Sequence, residues 1–390
     1  MQRRRAALAA VVVVVAALVV AAGAYARSDS SQSAGTAAVS CKNSASIGML
    51  APITGPAGSI GSDQLHWAQF YVSLWNKNPR NKVKLKLIQG DTQLDPSKAS
   101  TVAQQFASNS SIVGIIGPAG SQEVIATSPI FKKAGLAFIS GSATKVSLTD
   151  GRYRGFFYRV VPNDGRQGPG AANFMMSNLG VKKGDTVMIV DDQEAYSTGL
   201  AGIVQSVLKS KGVKVQRESI SQKATDFSSL VAKAGSAKVV FAPFQLASQA
   251  QLLAQQLKAQ GKQAPVFGSD GTFDSSKFNV SGSYVSFFAP DVTTLPEDKA
   301  IVAAFHKQFP GGTSPFGAPN YVAAEILATA VSGACADGTA SRAEVRSRVA
   351  KVALESTILG DPIAFTRNGD VANVKYHIFK IEGGKYIKVV

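Results

Sequence analysis

Short apolar segments alternate with helical patterns along most of this chain, and that alternation limits the folds it can adopt. Strands are predicted at residues 46–50, 83–88, 112–116 and 136–140, and again at 186–190, 213–217, 238–242 and 265–268. Several are continuous apolar runs, which are typical of parallel strands covered on both faces. The pattern occurs once before about residue 161 and once after about residue 184, so it predicts two doubly wound α/β lobes.

The segments between these strands carry helical signals. Residues 63–76 place apolar side chains on one stripe, and Asp95 followed by Pro96 is a typical helix start. Further helices are predicted at residues 197–211, 226–234, 247–260, 317–335 and 341–353. Two segments in which apolar and polar residues alternate lie on either side of Gly383 and Gly384, and they predict a terminal β-hairpin. The chain has 390 residues, of which 45% are hydrophobic. It is therefore also too long to fold around a single hydrophobic core.

The amino terminus has the composition of an export signal. Three arginines at positions 3–5 precede an apolar run at residues 6–24, and Ala24-Tyr25-Ala26 is a small-x-small cleavage motif. We therefore expect a signal peptide at residues 1–26, cut after Ala26. An uncleaved anchor is the alternative, because a run of about 19 residues is near the length that spans a bilayer. Residues 27–44 are rich in Ser, Ala, Gly and Gln and predict a flexible linker.

The chain has two cysteines, Cys41 before the first strand and Cys335 at the end of a predicted helix. Export permits a disulfide between them, and we expect one. Lipidation of Cys41 is an alternative, because residues 38–41 loosely resemble a lipid-attachment box. However, polar residues separate this motif from the apolar run. The third alternative is that both cysteines are unpaired thiols.

The formal charge of +16 falls to +13 without residues 1–26, which carry three arginines and no acidic residue. The lysines are scattered over predicted helix faces, so we expect a solvated basic surface suited to an anionic envelope, and no nucleic-acid partner. Three histidines are widely separated, and the sequence contains no metal-binding spacing, G-x-S-x-G elbow or phosphate-binding loop. We therefore expect no enzyme activity, no cofactor and no metal.

Two neighbouring strands of the first half end in small, hydroxylated residues. The strand at 136–140 passes into Ser142, Ala143 and Thr144, and the preceding strand passes into a turn that ends at Ser121. Ligands of open α/β sheets bind beyond the carboxyl ends of the strands, where N–H groups and hydroxyls bind anions. These turns are a candidate carboxylate site. The alternative is that they are ordinary strand-to-helix turns, which also favour Gly and Ser.

The strand ends of the second half offer a group of opposite charge. Asp270 follows the strand at 265–268 and is a candidate partner for an ammonium group. Tyr196 and Phe244 follow two further strands and are candidate walls of an apolar pocket. Turn capping by Asp270 and plain packing of the two rings are the alternatives.

In these features and their order, the chain resembles the leucine/isoleucine/valine-binding proteins, the type I periplasmic binding proteins of ABC transporters. The segments that carry the resemblance extend over nearly all of residues 45–390: IGMLAPITGP, DTQLDPSKA, GPAGSQEV, FISGSAT, DDQEAYSTGL, TDFSSLVAK, FGSDG and SYVSFFAPD. The resemblance implies two lobes joined by three crossovers, with the ligand in the cleft between them. The first lobe is expected at residues 45–163 plus 294–373, and the second at 164–293 plus 374–390.

The resemblance also implies which residues contact the ligand. The carboxylate of an amino acid is expected at Ser121, Ser142, Ala143 and Thr144, the ammonium group at Asp270, and a further contact at Tyr196. Two positions depart from the family pattern: Ile60 stands where an aromatic residue is common, and Phe244 where a tyrosine is common. Both belong to the expected site, and they bear on the identity of the ligand's side chain.

We therefore expect a monomeric, exported protein of the periplasm or the extracytoplasmic face of the cell envelope. It captures an amino acid, branched-chain or otherwise apolar, and delivers it to the membrane permease of an ABC transporter. The alternative is a binding protein or sensor for another small ligand, such as an amide, urea or an aromatic carboxylate, because site residues rather than the fold determine the ligand.

Overall fold

The computed structural model describes residues 38–390, except residues 43, 312–313 and 373–374. The predicted signal peptide and residues 27–37 of the predicted linker lie outside the described residues. The described part of that linker is not irregular: Val39–Ser40 forms a short strand, and the next strand already begins at Ser44. Among the described residues, no helix is both long and apolar enough to cross a membrane.

The strands and α-helices alternate as the sequence pattern predicts. The strands are β1 (Val39–Ser40), β2 (Ser44–Ala51), β3 (Lys84–Asp91), β4 (Ile112–Ile116), β5 (Phe138–Ser140), β6 (Phe157–Arg159), β7 (Thr186–Asp191), β8 (Lys214–Ser219), β9 (Val239–Ala242), β10 (Val266–Gly268), β11 (Tyr284–Phe287), β12 (Thr339–Ala340), β13 (Ala353–Leu354), β14 (Ile363–Ala364), β15 (His377–Glu382) and β16 (Lys385–Lys388). The α-helices are α1 (Gly58–Lys77), α2 (Pro96–Ser108), α3 (Ser121–Lys133), α4 (Asp164–Ser177), α5 (Ala195–Ser210), α6 (Ser228–Lys233), α7 (Ala247–Ala259), α8 (Lys299–Gln308), α9 (Ala318–Ala334) and α10 (Arg342–Val349).

Two sheets organise the chain into two lobes. The first has five parallel strands in the order β3-β2-β4-β5-β6. The second has seven strands in the order β16-β15-β11-β10-β9-β7-β8, of which β7 to β11 are parallel. The predicted terminal hairpin is confirmed, because β15 and β16 pair antiparallel and join β11 at the edge of the second sheet. Every residue of β4 and β9 is buried, as expected for parallel strands covered on both faces.

The chain passes between the two sheets three times. The first passage leads from β6 to α4, and the second leads from β11 to α8 and α9. Helix α9 packs on β4 and β5 of the first sheet, and the third passage returns the chain to β15 of the second. These three crossovers confirm the predicted architecture of two doubly wound lobes.

Helix α4 was not predicted, because its sequence contains Gly165, Gly168 and Gly170 and is a poor helix former on its own. Tertiary packing explains its formation. A Cβ atom at Gly168 would lie 2.5 Å from the side chain of Ile203 on α5, so the glycine permits close approach of the two helices. The side chain of Asn163 caps the first turn by accepting a hydrogen bond from the Gly165 N–H at 2.9 Å.

The predicted disulfide is confirmed. Cys41 and Cys335 are bonded across a sequence separation of 294 residues, with their Cα atoms 5.7 Å apart. Strand β1 pairs antiparallel with β12 beside the bond, so a covalent link and a short ladder together attach the amino-terminal segment to the end of α9.

Replacing both cysteines, as Cys41→Ala with Cys335→Ala, should lower the free energy of unfolding by about 2–5 kcal/mol, because the bond restricts the unfolded chain over a very long loop. Denaturant unfolding of the double variant measures this, and the parent protein under reducing conditions is the matched control. Equal stability of the double variant and the oxidised parent, or two free thiols in a non-reducing peptide map, would contradict the prediction.

Candidate functional site

A pocket lies between the carboxyl ends of the strands of the two sheets. It occupies a volume of about 390 Å³, part of it open to solvent. The first lobe contributes an apolar wall and two hydroxyls, from Pro52, Ala57, Ile60, Leu94, Ala119, Phe316, Ser121 and Ser142. The second lobe contributes mostly polar groups, from Tyr196, Gln245, Asp270 and Gly271. Five of the predicted site residues therefore meet at one pocket: Ile60, Ser121, Ser142, Tyr196 and Asp270.

The hydroxylated end of the pocket is the start of α3. Gly120 is the N-cap and Ser121 the first helical residue, and the Glu123 side chain accepts the Gly120 N–H at 2.7 Å. The first-turn N–H groups of a helix lack intrahelical acceptors and favour anions, together with the helix dipole. The Ser142 hydroxyl, which donates to the Ala119 carbonyl at 2.9 Å, lines the same end. This end can bind a carboxylate.

Ala143 and Thr144 lie behind the pocket wall rather than on it. Both are buried, and neither belongs to the residues that line the pocket. The Ala143 carbonyl accepts from the guanidinium of Arg159 at 3.0 Å, and the Thr144 carbonyl accepts from the N–H of Asp164 at 2.9 Å. Arg159 is itself buried and pairs with Asp370 at 2.6 Å. The predicted turn is thus a rigid support for the hydroxylated end.

The opposite end of the pocket carries the carboxylate of Asp270, which follows β10. One of its oxygens accepts from the Tyr196 hydroxyl at 2.6 Å and from the Gln167 amide. Burial raises the pKa of Asp270 to about 6, and the hydrogen bonds from Tyr196 and Gln167 limit that rise. Asp270 forms no ion pair within the described part of the chain. A buried carboxylate without a cation is a suitable partner for an ammonium group.

Phe244 does not reach the pocket. Its side chain is fully buried and packs against Phe227, with ring centroids 6.3 Å apart. The Phe244 N–H donates to the Ala242 carbonyl at 2.8 Å, so the chain turns directly after β9 and the next residue, Gln245, lines the pocket instead. The predicted role of Phe244 as a wall of the pocket is not supported by this placement.

A pair of amides connects the two lobes beside the pocket. The side-chain amide of Gln122 on α3 donates to the side-chain Oε1 of Gln245 at 2.9 Å, and the Gln245 side-chain amide donates back to Oε1 of Gln122 at 3.0 Å. Gln245 is fixed within the second lobe, because its N–H donates to Asp192 and its side chain accepts from Gln222, both at 2.8 Å. Both members of the pair are buried. This amide pair is a direct hydrogen-bonded contact between the two lobes.

Sequence reasoning missed the amide pair and the buried residues of α4 behind Asp270. A glutamine pairs across a cleft only when two distant segments face each other, and no local pattern in the sequence signals it. Asp164 and Gln167 belong to PNDGRQG, for which no helix was predicted. Two polar residues three positions apart on one helix were the available signal, and they required the helix itself to be predicted.

Comparisons with known proteins agree with this arrangement. The sequence profile of the periplasmic binding protein family matches residues 44–385. The Leu/Ile/Val-binding protein BraC3 of Rhizobium johnstonii is 28% identical over 353 residues, which cover 87% of this chain and 92% of that protein. The crystal structure of a leucine binding protein from Thermotoga maritima has a TM-score of 0.79 at 21% identity, covering 89% of this chain and 98% of that one.

A solute binding protein of an ABC transporter from R. palustris, crystallised in complex with benzoate, has the same fold. Its TM-score is 0.76 at 18% identity, and the match covers 89% of this chain and 95% of that one. The family profile spans most of the chain. This chain belongs to the periplasmic binding protein family.

Proposed function

We propose that this chain is the substrate-binding protein of an ABC transporter and that it captures an apolar amino acid of the branched-chain class between its lobes. The observation that carries the proposal is the distribution of charge across the pocket. Asp270 offers an unpaired buried carboxylate on the second lobe, and Ser121 with Ser142 offers a donor-rich helix start on the first. A zwitterionic amino acid complements both ends at once.

The apolar wall supports an apolar ligand side chain. Ile60 lies on α1 beside Pro52 and Ala57, and Leu94 and Phe316 lie nearby on the first lobe. None of these side chains offers a hydrogen bond, so a polar ligand side chain would lose its hydration without compensation. Leucine, isoleucine and valine avoid that cost, and the name of the relative from Rhizobium johnstonii agrees with this chemistry.

The remaining parts of the function are proposed on the same basis. The protein is exported by the segment at residues 1–26, acts as a monomer in the periplasm or at the extracytoplasmic face, and passes its ligand to a permease without catalysing a reaction. The lobes divide at residues 45–163 plus 294–373 and 164–293 plus 374–390. Sheet membership supports this division, since β2 to β6 form one sheet and β7 to β11 the other.

An aromatic carboxylate is the second candidate ligand. The benzoate complex of the neighbour from R. palustris supports it, and a carboxylate alone would satisfy the helix start of the first lobe. The two candidates differ at Asp270. An aromatic carboxylate would leave this buried carboxylate without a cation, whereas an amino acid supplies one.

A thermal-shift screen of amino acids and aromatic acids separates the two candidates. At a concentration of a hundred times its dissociation constant, a ligand adds about 2.7 kcal/mol to stability. L-Leucine, L-isoleucine and L-valine should raise the melting temperature, and 4-methylpentanoate, which is leucine without its ammonium group, should not. A shift with benzoate and none with any amino acid would overturn the amino-acid proposal.

The variant Asp270→Asn keeps the shape of the side chain and removes its charge. It should weaken leucine binding by about 2–5 kcal/mol, because the ammonium group loses its buried counter-charge. Ser121→Ala should cost less, about 1–2 kcal/mol, because backbone donors of the helix start remain. Calorimetry measures both. Leucine affinity equal to that of the parent in Asp270→Asn would refute the assignment of Asp270 to the ammonium group.

The amide pair between Gln122 and Gln245 gives a prediction about closure. Gln122→Ala removes two hydrogen bonds between the lobes, each worth about 0.5–1.5 kcal/mol, so leucine should dissociate faster while its association rate stays the same. Stopped-flow kinetics test this, with Gln263→Ala as the control, because Gln263 bonds only within its own exposed turn. An unchanged dissociation rate in Gln122→Ala would show that the pair contributes nothing to closure.

A further inference from the structure

A dense group of lysines lies at the end of the second lobe that faces away from the pocket. Strands β7 to β11 are parallel, so their amino ends share one edge of the sheet, and the pocket lies at their carboxyl ends. Eight lysines precede or begin these strands, and we call them the lysine surface: Lys182, Lys183, Lys209, Lys211, Lys214, Lys238, Lys258 and Lys262. All are exposed except Lys262, which is half-buried.

Backbone hydrogen bonds show that these lysines belong to one continuous surface. The N–H of Lys214 donates to the Asp185 carbonyl, and the N–H of Lys238 donates to the Thr186 carbonyl, both at 2.8 Å. The starts of β7, β8 and β9 are therefore direct neighbours, and β10 and β11 continue the same edge. Because neighbouring strands lie about 4.8 Å apart, the five strand starts extend over about 20 Å.

Almost no negative charge balances the lysine surface. The segments that form this edge contain one acidic residue, Asp185, in the ranges 180–186, 209–214, 236–239, 258–266 and 280–284. The adjacent β15–β16 hairpin adds two lysines and one glutamate. Of the eight lysines, Lys258 alone donates a side-chain hydrogen bond, and none forms an ion pair within the described residues. Their charge is thus available to a partner.

The fold itself explains only part of this charge. Cations stabilise the carboxyl ends of helices, and Lys209 and Lys258 lie in the last turns of α5 and α7. Lys183, Lys214 and Lys238 lie outside helices, however, and have no such role. A lysine at these positions neither completes a helix end nor pairs with an acid.

The corresponding end of the first lobe uses several of its cations within the protein. Arg342 donates to four backbone carbonyls. The guanidinium of Arg346 lies over the ring of Phe156, with its central carbon 4.4 Å from the ring centroid. Arg152 pairs with Asp150 at 3.6 Å. The lysine surface of the second lobe differs, because its side chains point to solvent without such partners.

The composition of the lysine surface indicates the kind of partner that fits it. Its segments contain no arginine, and no exposed aromatic or large apolar side chain among the described residues. A stable protein interface has an apolar, aromatic-rich centre, and single-stranded nucleic acids bind aromatic stacking platforms. Separate lysine point charges instead match the phosphates of an anionic bilayer, which impose no fixed geometry. We propose that the lysine surface binds the anionic phospholipid headgroups of a membrane.

A crevice within the lysine surface has room for one headgroup. It lies between the end of α7 and the turn before β11, with a volume of about 560 Å³, part of it open to solvent. Lys258, Lys262 and residues 280–283 line it. The Lys258 ammonium donates to the Ser281 carbonyl at 2.9 Å, which holds this side chain at the crevice. A lipid phosphate that enters here pairs with both lysines.

Membrane binding through this surface leaves the pocket free, because the two lie at opposite ends of the same strands. The protein is thereby held at the membrane without losing access to its ligand. Since no pocket residue takes part, the inference does not depend on the proposed function, and it stands or falls whatever ligand the pocket binds.

Vesicle sedimentation tests the proposal. The exported protein without residues 1–26 is mixed with vesicles of phosphatidylcholine alone, or with about one third phosphatidylglycerol, which gives an anionic surface. It should sediment with the anionic vesicles only. Raising the salt from about 0.1 M to about 1 M should release it, because the screening length falls from about 10 Å to about 3 Å. An uncleaved apolar amino terminus would bind both kinds of vesicle, so the neutral vesicles control for it.

Two quadruple variants with the same loss of charge locate the binding surface. The first combines Lys183→Gln, Lys214→Gln, Lys238→Gln and Lys262→Gln. The matched control combines Lys77→Gln, Lys299→Gln, Lys307→Gln and Lys351→Gln, at exposed positions outside the lysine surface. The first variant should partition at least about 30-fold more weakly, because each lysine near an anionic membrane strengthens partitioning about fivefold. The control should lose much less, and thermal unfolding checks that both variants are folded.

Four results would overturn the inference. The parent protein sediments equally with neutral and anionic vesicles, or with neither. Sedimentation is unaffected by high salt. The two quadruple variants lose the same affinity, in which case binding follows net charge rather than this surface. Inorganic phosphate at constant ionic strength displaces the protein from the vesicles, in which case the crevice is a site for the free anion rather than for a bilayer.

Discussion

The burial of a carboxylate without a cation, at Asp270, is the constraint on which the rest of the site depends. A buried ionised group costs several kcal/mol unless hydrogen bonds and a counter-charge compensate it. The chain supplies the hydrogen bonds from two separate helices, through Tyr196 on α5 and Gln167 on α4. It supplies no counter-charge within the described residues. The fold thus holds an incompletely compensated negative charge at the carboxyl end of the strands of the second sheet.

The first lobe places hydrogen-bond donors at the opposite end of the pocket from the Asp270 carboxylate. The start of α3 presents N–H groups and the Ser121 hydroxyl, and the turn behind it is fixed by the buried guanidinium of Arg159. Arg159 at the end of β6 binds the carbonyls of Ala143 and Lys145 and pairs with Asp370. Asn163, at the first crossover, also donates to Asp370 at 3.2 Å. The donor-rich end of the pocket is therefore connected to two of the three passages between the lobes.

The architecture and half of the site could be predicted from the sequence because their signals are local. Continuous apolar runs predict parallel strands, and small residues at strand ends indicated Ser121 and Ser142 correctly as pocket residues. The orientation of Phe244 could not be predicted, since one tight turn after β9 decides whether a ring faces the core or the cleft. Helix α4 and the pairing of Gln122 with Gln245 arise from contacts between distant segments.

The placement of the two ends of the pocket connects ligand charge to lobe closure. Ser121 follows β4 of the first sheet, and Asp270 follows β10 of the second, so the two ends belong to different lobes. A ligand changes the balance between open and closed states only by interacting more favourably with one of them. On the proposed function, a carboxylate alone engages the helix start of the first lobe and leaves Asp270 without a cation. A zwitterion engages both ends of the pocket, so its interaction energy is largest when the lobes are closed. On this reasoning the separation of the two ends makes closure itself selective for ligands that carry both charges.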